Sequence, residues 1–499
     1  MAVAGAPSTS FDGINTARRG CLACARHDGT ATAAAILTPI RRKGASSSAP
    51  RQLSSASLPD CPLAARLAGS WQGPGVSVVG LHGNPNSEMT QSAGDAFARR
   101  VGYLESIRGL ASLQVLVLHV LTAFAPVLVF STLATGTIAG LVRESPLFFI
   151  YDGYSAVYLF FVLSGTVLTA AFAPRLDRPG ALLAGRVTRL LVPAAAACIF
   201  SFAIKLAVGS PNVAAGALTH SSWLASLWRP PPGVGFLVRD AVVNGLFLGY
   251  AGMGTPTLLG FGRWLDPVTL AYVAPIWTLS VELQGSVLVL LLTLAQRRSR
   301  TSWLLTLAAA TTFLARTHFL CFIAGHVLAV ALRRGRLPDL PRAVTVALIA
   351  AGIFLCVRAE VWQAPVLAKV CQAHLLAILP CTPHPQKVLG ALVLYFGLVT
   401  SPAIRAALTR PMLIGLGRLS FSIYLVHWPI VFGLGALLLV TAAPMIGLRA
   451  ARLATVVVVL GASLVAAAAF ARIDAGAIIL GRRVRDASGG RPAPARMAR

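Results

Sequence analysis

The fold class this chain predicts is an all-α integral membrane protein, and three observations predict it. Apolar residue types make up 56% of the 499 residues and charged types 12%, about half the charged fraction of a soluble globular chain. Mean hydropathy is +0.73, and from residue 100 onward the apolar residues gather in a series of runs. Lys and Arg number 43 against 16 Asp and Glu, a net charge of +27. The cations sit in short clusters between the apolar runs, as cytoplasmic loops under the positive-inside rule require. A disordered chain is excluded for most of the length, because it lacks such apolar density. A soluble enzyme is excluded because this much apolar surface cannot be hidden without lipid. A nucleic-acid binder would carry its charge as a continuous stripe, so no nucleic-acid partner is expected. The eight cysteines are scattered, several within apolar runs, where they act as small hydrophobes.

Residues 1–99 are rich in Ala, Ser, Gly and Pro, hold no run long enough to span, and read as a disordered cytosolic tail. Arg18, Arg19, Arg26, Arg41, Arg42, Lys43 and Arg51 stand there against Asp12 and Asp28 only. That balance is similar to a transit peptide's, but a plain tail is the reading adopted; no apolar signal segment opens it. Cys21 and Cys24 form a lone CxxC without a second pair and are not assigned to a metal. Residues 100–475 read as the transmembrane domain. About ten helices are expected, near 109–130, 147–172, 190–209, 276–295, 302–315, 318–332, 341–357, 388–400, 419–440 and 453–471. The segment 241–260 is apolar but Gly-rich and is assigned as re-entrant or interfacial. Counting it as a span would put Arg297, Arg298 and Arg300 outside. With the N-terminus inside, the inner loops hold Arg175, Arg178, Arg186 and Arg189, then Arg297, Arg298 and Arg300. Next come Arg333, Arg334, Arg336 and Arg342, then Arg405, Arg410 and Arg418. Both termini are therefore expected in the cytoplasm, with 476–499 a basic cytosolic tail. The pattern shows no inverted repeat.

Ionisable residues inside a span are costly and are the first candidates for function. Arg108 and His119 are eleven residues apart. At 100° per residue that is about 1100°, about 20° past three full turns, so the two share a helix face about 16.5 Å apart along the axis. Ser112 and Thr122 lie near the same stripe. A cation at the cytoplasmic mouth and an imidazole deep on the same face suit a long anionic substrate, with phosphates at Arg108 and the reactive end at His119. The alternative is a His bonded to a neighbouring helix and a snorkelling Arg.

Four further motifs follow in order. Residues 158–165 read Tyr-Leu-Phe-Phe-Val-Leu-Ser-Gly. Arg186-Val-Thr-Arg189 opens the third span. Residues 277–282 read Trp-Thr-Leu-Ser-Val-Glu. Residues 419–429 read Leu-Ser-Phe-Ser-Ile-Tyr-Leu-Val-His-Trp-Pro. With the Arg-x10-His spacing of Arg108 and His119, this ordered set resembles the membrane-bound acyltransferase 3 family of multi-pass O-acyltransferases, over roughly residues 100–475. The family's Arg-x-x-Arg falls on Arg186 and Arg189. Its Trp-Ser-Leu-Ser-Val-Glu falls on Trp277–Glu282 with Thr278 in place of Ser, and its His-Trp-Pro on His427, Trp428 and Pro429. Two departures stand out: Glu105 where Asp is frequent, and Tyr158 where many bacterial relatives carry an acid, for which Asp152 is the nearest substitute. The resemblance implies a ten-span core and an acyl-CoA donor, commonly acetyl-CoA, with no tightly bound cofactor and no metal.

Under that resemblance His119 becomes the general base, or a covalent acyl carrier, because a hydroxyl is a poor nucleophile until a base takes its proton. Arg108, Arg186 and Arg189 become binders of the acyl-CoA phosphates, with topology signalling the rival for the last two. Glu282 is read as a catalytic partner that orients His119 or binds the acceptor; an interhelical hydrogen bond is the rival. Ser112, Trp277, Ser280, Ser420, Tyr424 and His427 are read as cavity-lining, the last three as a stripe at i, i+4, i+7. Pro429 should kink the helix beyond them. Ser164 beside Gly165 reads as helix packing, and Lys205, Arg316, His318 and His326 as structural. In the loop 358–387, Cys371, His374, Cys381 and His384 have a C-x2-H-x6-C-x2-H spacing. A Cys371–Cys381 disulfide ranks first there, no special chemistry second and zinc third.

The function expected is transfer of a short acyl group, acetyl in the first place, from acyl-CoA to a hydroxyl of a carbohydrate, glycolipid or secondary-metabolite acceptor. The partners are then acyl-CoA, the acceptor and the lipid bilayer. The rival class is a polytopic transporter, since many spans with buried charges fit that too.

Overall fold

The computed structural model describes residues 85–130, 138–251, 265–315, 317–337, 339–357 and 384–488, with side chains from 102 onward. They lie within one compact unit, Gly73–Arg499. Cys21, Cys24, Cys371, His374, Cys381 and Arg316 lie outside the described residues, so the disulfide and its rivals do too.

Among the described residues every extended element is helical, with one isolated bridge pairing Ala251 and Pro267. The main helices are α1 (Pro85–Phe124), α2 (Gly153–Phe172), α3 (Pro179–Val208) and α4 (Trp277–Arg298). Then come α5 (Arg300–Leu314), α6 (Phe319–Arg333), α7 (Arg342–Val357) and α8 (Pro385–Thr400). The last are α9 (Pro411–Pro429), α10 (Ala436–Ile446) and α11 (Leu448–Ala487). Each expected run falls on one of these, but the count of ten spans is not reached. Six helical stretches are long and apolar enough to cross a membrane, and a seventh if α8 and Pro402–Leu408, bent by 91°, count as one. Helices α5, α6 and α7 have 15, 15 and 16 residues. At 1.5 Å per residue that is about 22–24 Å, short of a hydrocarbon core of about 30 Å. Hydropathy found the right stretches; length separates them.

Two boundaries move. Helix α1 begins at Pro85, so 85–99, expected within the disordered tail, are helical. Glu88, Met89, Gln91, Ala93, Ala96 and Ala98 are good helix formers, and extending an existing helix avoids the nucleation cost. Helix α11 likewise runs to Ala487, into the expected tail 476–499, and Gly481 there lies against Gly185 of α3.

Of the 241–260 segment, the described part, 241–251, is not among the long apolar helices. Val234–Val238 is one α-helical turn and a bit, and Arg239–Leu248 continues it as a π-helix. Asp240, fully buried, ties it down. It accepts from Tyr250 Oη at 2.7 Å and from the Tyr272 N–H at 2.9 Å. Burial pushes its carboxyl up to about 6, against the pull of those bonds. After Pro429, which has no N–H to donate to the carbonyl four residues back, a π-helical stretch, Ile430–Gly435, carries α9 into α10, and Pro411–Ile446 remains one long apolar stretch.

The side chains reveal the direction of the helices. Helices α1 and α9 run parallel, because Gly109 meets Gly417 and, ten residues further along both, His119 meets His427. A Cβ on Gly109 would stand 2.6 Å from the Gly417 nitrogen, closer than any real contact, so this crossing requires glycine. Helix α4 starts beside the far end of α9, where Tyr424 Oη donates to Pro275 O at 2.9 Å. Helix α11 ends beside the start of α3. The Gly109 region of α1, the starts of α3 and α9 and the end of α11 thus share one end of the bundle, and that end holds the arginine clusters.

Candidate active site

His119 and His427 make the centre of the far end. His119 Nδ1 lies 2.8 Å from His427 Nε2, the rings nearly parallel at 8° with centroids 5.1 Å apart. His427 Nδ1 is 2.9 Å from the Ile423 carbonyl, one turn back on its own helix. Trp223 also stacks on His119, with ring centroids 5.4 Å apart, and Trp428 meets it edge-on at 5.4 Å. His427 is fully buried and Trp428 nearly so, while His119 and Trp223 are half-buried. The Trp428 indole N–H is sealed from solvent without a partner among the described residues.

One turn nearer the basic end, Tyr424 Oη is 2.9 Å from Thr278 Oγ1. That bond explains why Thr serves where the motif has Ser: the hydroxyl is kept. Below it Glu282 pairs with Arg186, whose Nε also donates to Ser286 Oγ at 3.2 Å. Both side chains of the ion pair are 13% exposed. Glu282 therefore pairs with Arg186 and not with His119; the side chain in hydrogen-bond contact with His119 is His427.

At the basic end Arg108 pairs with Glu105 at 3.3 Å, both side chains a quarter to a third exposed. Arg189 lies within electrostatic reach of Arg186, Arg108, Asp474 and Glu105, but makes no ion pair of its own among the described residues. An Asp474 oxygen there is sealed off unpartnered. A cavity of about 530 Å³ at the C-terminal ends of α2, α4 and α6, lined by Gln296, Arg297, Arg333 and Arg334 among others, adds cations to that end.

A family model described as an acyltransferase domain matches residues 101–472, well over half of the chain. The chain belongs to the acyltransferase 3 family. No curated protein and no solved structure matches it. The protein is a membrane acyltransferase, and this membership decides between acyl transfer and the transporter alternative.

The other expected site residues of this acyltransferase take local roles. Ser112 donates to Gly109 O at 2.8 Å and Ser280 to Trp277 O at 2.7 Å, each within its own helix. Ser420 is buried. The Trp277 ring packs on Phe161 and on His318, 5.6 Å away. Asp152, the nearest acid to the Tyr158 departure, caps α2 and pairs with Lys387 at 2.7 Å, both buried, so its carboxylate is committed to a tether between α2 and α8. His326 is held by Thr169 at 2.9 Å and Trp303 at 3.0 Å, a structural role as expected. Among the described residues no group of three or more His, Cys, Asp and Glu could hold a metal. Trp223 is the residue that sequence reasoning missed. It sits on the short helix Ser222–Ser226, between spans and outside every motif. Its one sequence signal is an aromatic beside the N-cap Ser221, which ties that helix to α1 through Thr122 O at 2.7 Å.

Proposed function

We propose that the protein moves a short acyl group, acetyl in the first place, from cytoplasmic acyl-CoA to a hydroxyl of a carbohydrate, glycolipid or secondary-metabolite acceptor. One observation carries the reading. The parallel pair α1–α9 has arginines gathered at one end and an imidazole at the other, with the eleven-residue Arg108–His119 interval between them. An acyl-CoA has the same polarity: a phosphorylated nucleotide at one end, a thioester at the other, and a long arm joining them. Guanidinium forks match phosphate oxygens, and Arg189, without an ion pair of its own, is the best placed to take one. Arg186 is already committed to Glu282.

At His119 the acceptor hydroxyl gives its proton to imidazole nitrogen while its oxygen attacks the thioester carbonyl. The C–S bond breaks, CoA leaves as thiolate, and the proton from His119 makes it the thiol. The same lone pair serves a covalent acyl-His route, which a burst of acyl-enzyme with acceptor withheld would reveal. The acyl-CoA is a substrate, and the reading needs no resident cofactor.

The test is transfer of labelled acetyl from acetyl-CoA in membranes, combined with metabolite profiles of a deletion strain and a His119→Ala strain. The expected result is the same mass difference of one acyl group in both strains. Near-normal transfer by His119→Ala overturns the mechanism. The cytoplasmic placement of the basic end is checked by labelling cysteines introduced at Ser299 and Gly335, both expected on the cytoplasmic side.

A further inference from the structure

The His119–His427 contact has a defined proton arrangement. A carbonyl oxygen only accepts, so the 2.9 Å contact with Ile423 O requires His427 Nδ1 to carry hydrogen and donate. No carboxylate touches the pair among the described residues, and His427 is fully buried between Trp428, Tyr424 and His119. A second proton on its ring would have no counter-charge. His427 is then the neutral Nδ1–H form, and its Nε2 is a bare acceptor. The 2.8 Å contact is a bond in which His119 Nδ1–H donates to His427 Nε2. With its single hydrogen on Nδ1, His119 has its lone pair on Nε2, and that nitrogen has no hydrogen-bond partner among the described residues.

We infer that His427 is a positioning residue for acyl transfer: it fixes the tautomer and ring plane of His119 so that Nε2 faces the reaction as a base. The inference rests on the reading of His119 as the reacting imidazole. A backbone carbonyl starts the chain, and because it can only accept, the polarity of both bonds follows. When Nε2 takes the hydroxyl proton, the imidazolium still donates from Nδ1 to His427, and that bond becomes charge-assisted and stronger. The bond therefore favours the protonated state through which transfer passes, as a histidine's partner does in other hydrolytic and transfer sites. Trp223 stacked at 18° and Trp428 edge-on limit rotation of the ring about its χ angles. Without His427 the isolated His119 is free to place its hydrogen on Nε2, the preferred form of a free imidazole in many environments being no help to a site that needs the opposite one.

The test compares His427→Leu, His427→Gln and His119→Ala in membranes, measuring kcat, donor KM and the amount of folded protein. A Leu side chain cannot accept the Nδ1–H; a Gln carbonyl can. The expected result is a fall in kcat of roughly 10²–10⁴-fold in His427→Leu, the range for loss of a working general base, with donor KM within about twofold. His427→Gln should recover at least tenfold of that loss. If His427→Leu is not recovered from membranes as folded protein, His427→Met, closer in volume and with only a weak acceptor, takes its place. Wild-type kcat in the Leu or Met variant while His119→Ala is inactive overturns the positioning role and leaves the base intact. Equal loss in Leu and Gln variants assigns His427 to packing and also overturns it. Activity in His119→Ala defeats the reading beneath it.

Discussion

The two ends of the α1–α9 pair are built from opposite chemistry. At one end of the contact between the two helices, backbone meets backbone through Gly109 and Gly417, and the surrounding side chains are arginines and carboxylates in partial ion pairs. Ten residues further on, aromatic rings replace charges, and the two helices meet through two imidazoles between Trp223 and Trp428. On the proposed reading, the first end, with its long flexible cations, is the one that binds, and the second, with its ring-walled imidazole, is the one that reacts. Separating the tasks keeps the arginines beside carboxylates that balance their charge, while the imidazole sits among aromatic rings, where competing hydrolysis is suppressed.

The largest expected effect breaks the reactive end. His119→Ala should lower acyl transfer by roughly 10²–10⁴-fold, the usual worth of a positioned general base, with membrane insertion unchanged. Assay of labelled acyl transfer at matched protein levels checks it, and a loss below tenfold would mean the reacting group lies elsewhere.

The next removes the crossing on which both ends depend. A side chain at Gly417 runs into the Glu105 backbone, and helix backbone has nowhere to go. Gly417→Val should therefore cost about 1–3 kcal/mol or more in overpacking. Thermal-shift measurements in detergent should show a lowered Tm, and activity should fall further than folded protein does, because His427 moves with α9. A variant of unchanged Tm and full activity would show the crossing to be looser than the structure has it.

The third sharpens the boundary between the ends. Glu282 and Arg186 are each 13% exposed, so removing one partner leaves a largely buried charge alone, at about 3–5 kcal/mol. Exposure of that remaining eighth to water trims the cost. Glu282→Ala should destabilise more than the double variant Glu282→Leu with Arg186→Met, in which neither charge is left behind. A double variant less stable than Glu282→Ala would refute the ion pair as the main tie between α3 and α4.

Much of this arrangement was legible in the sequence, and the rest was hidden for physical reasons. Local periodicity places Arg108 and His119 on one face, because 3.6 residues per turn is a property of a single helix. Hydropathy finds every main helix for the same reason. What pairs with what across helices is not local. The His119–His427 bond joins residues 308 positions apart, and Glu282 could reach either His119 or Arg186 from the same helix face; only packing selects Arg186. Trp223 lies in a five-residue helix with no periodicity to read. The small-residue contact of Gly109 and Gly417 is visible in sequence only as two glycines among 45. The count of ten spans is not confirmed on a different ground: α6 and α7 are apolar but short and α5 is short as well, and the exact length of a helix cannot be read from composition.

The smallest effect separates the arginines at the binding end from one another. The sequence marks all three as candidate phosphate ligands, yet their surroundings differ. Arg186 is spent on Glu282 and Ser286. Arg108 shares its charge with Glu105 at 3.3 Å and is a quarter exposed, so water and the carboxylate both compete with a phosphate for it. Arg189 has neighbouring charges but no ion pair of its own among the described residues, so a phosphate has no partner to displace there. Losing a charged hydrogen bond costs about 1.5–3 kcal/mol, or roughly 10–150-fold in affinity. Arg189→Ala should raise donor KM toward that range with kcat little changed, since binding lost equally from ground and transition states appears in KM. Arg108→Ala should raise it by less, because screening has already discounted its pair. Steady-state kinetics with varied acetyl-CoA at saturating acceptor measures both. The reverse order would move the phosphate site from α3 to the mouth of α1, and an effect confined to acceptor KM would move the donor away from this end of the bundle.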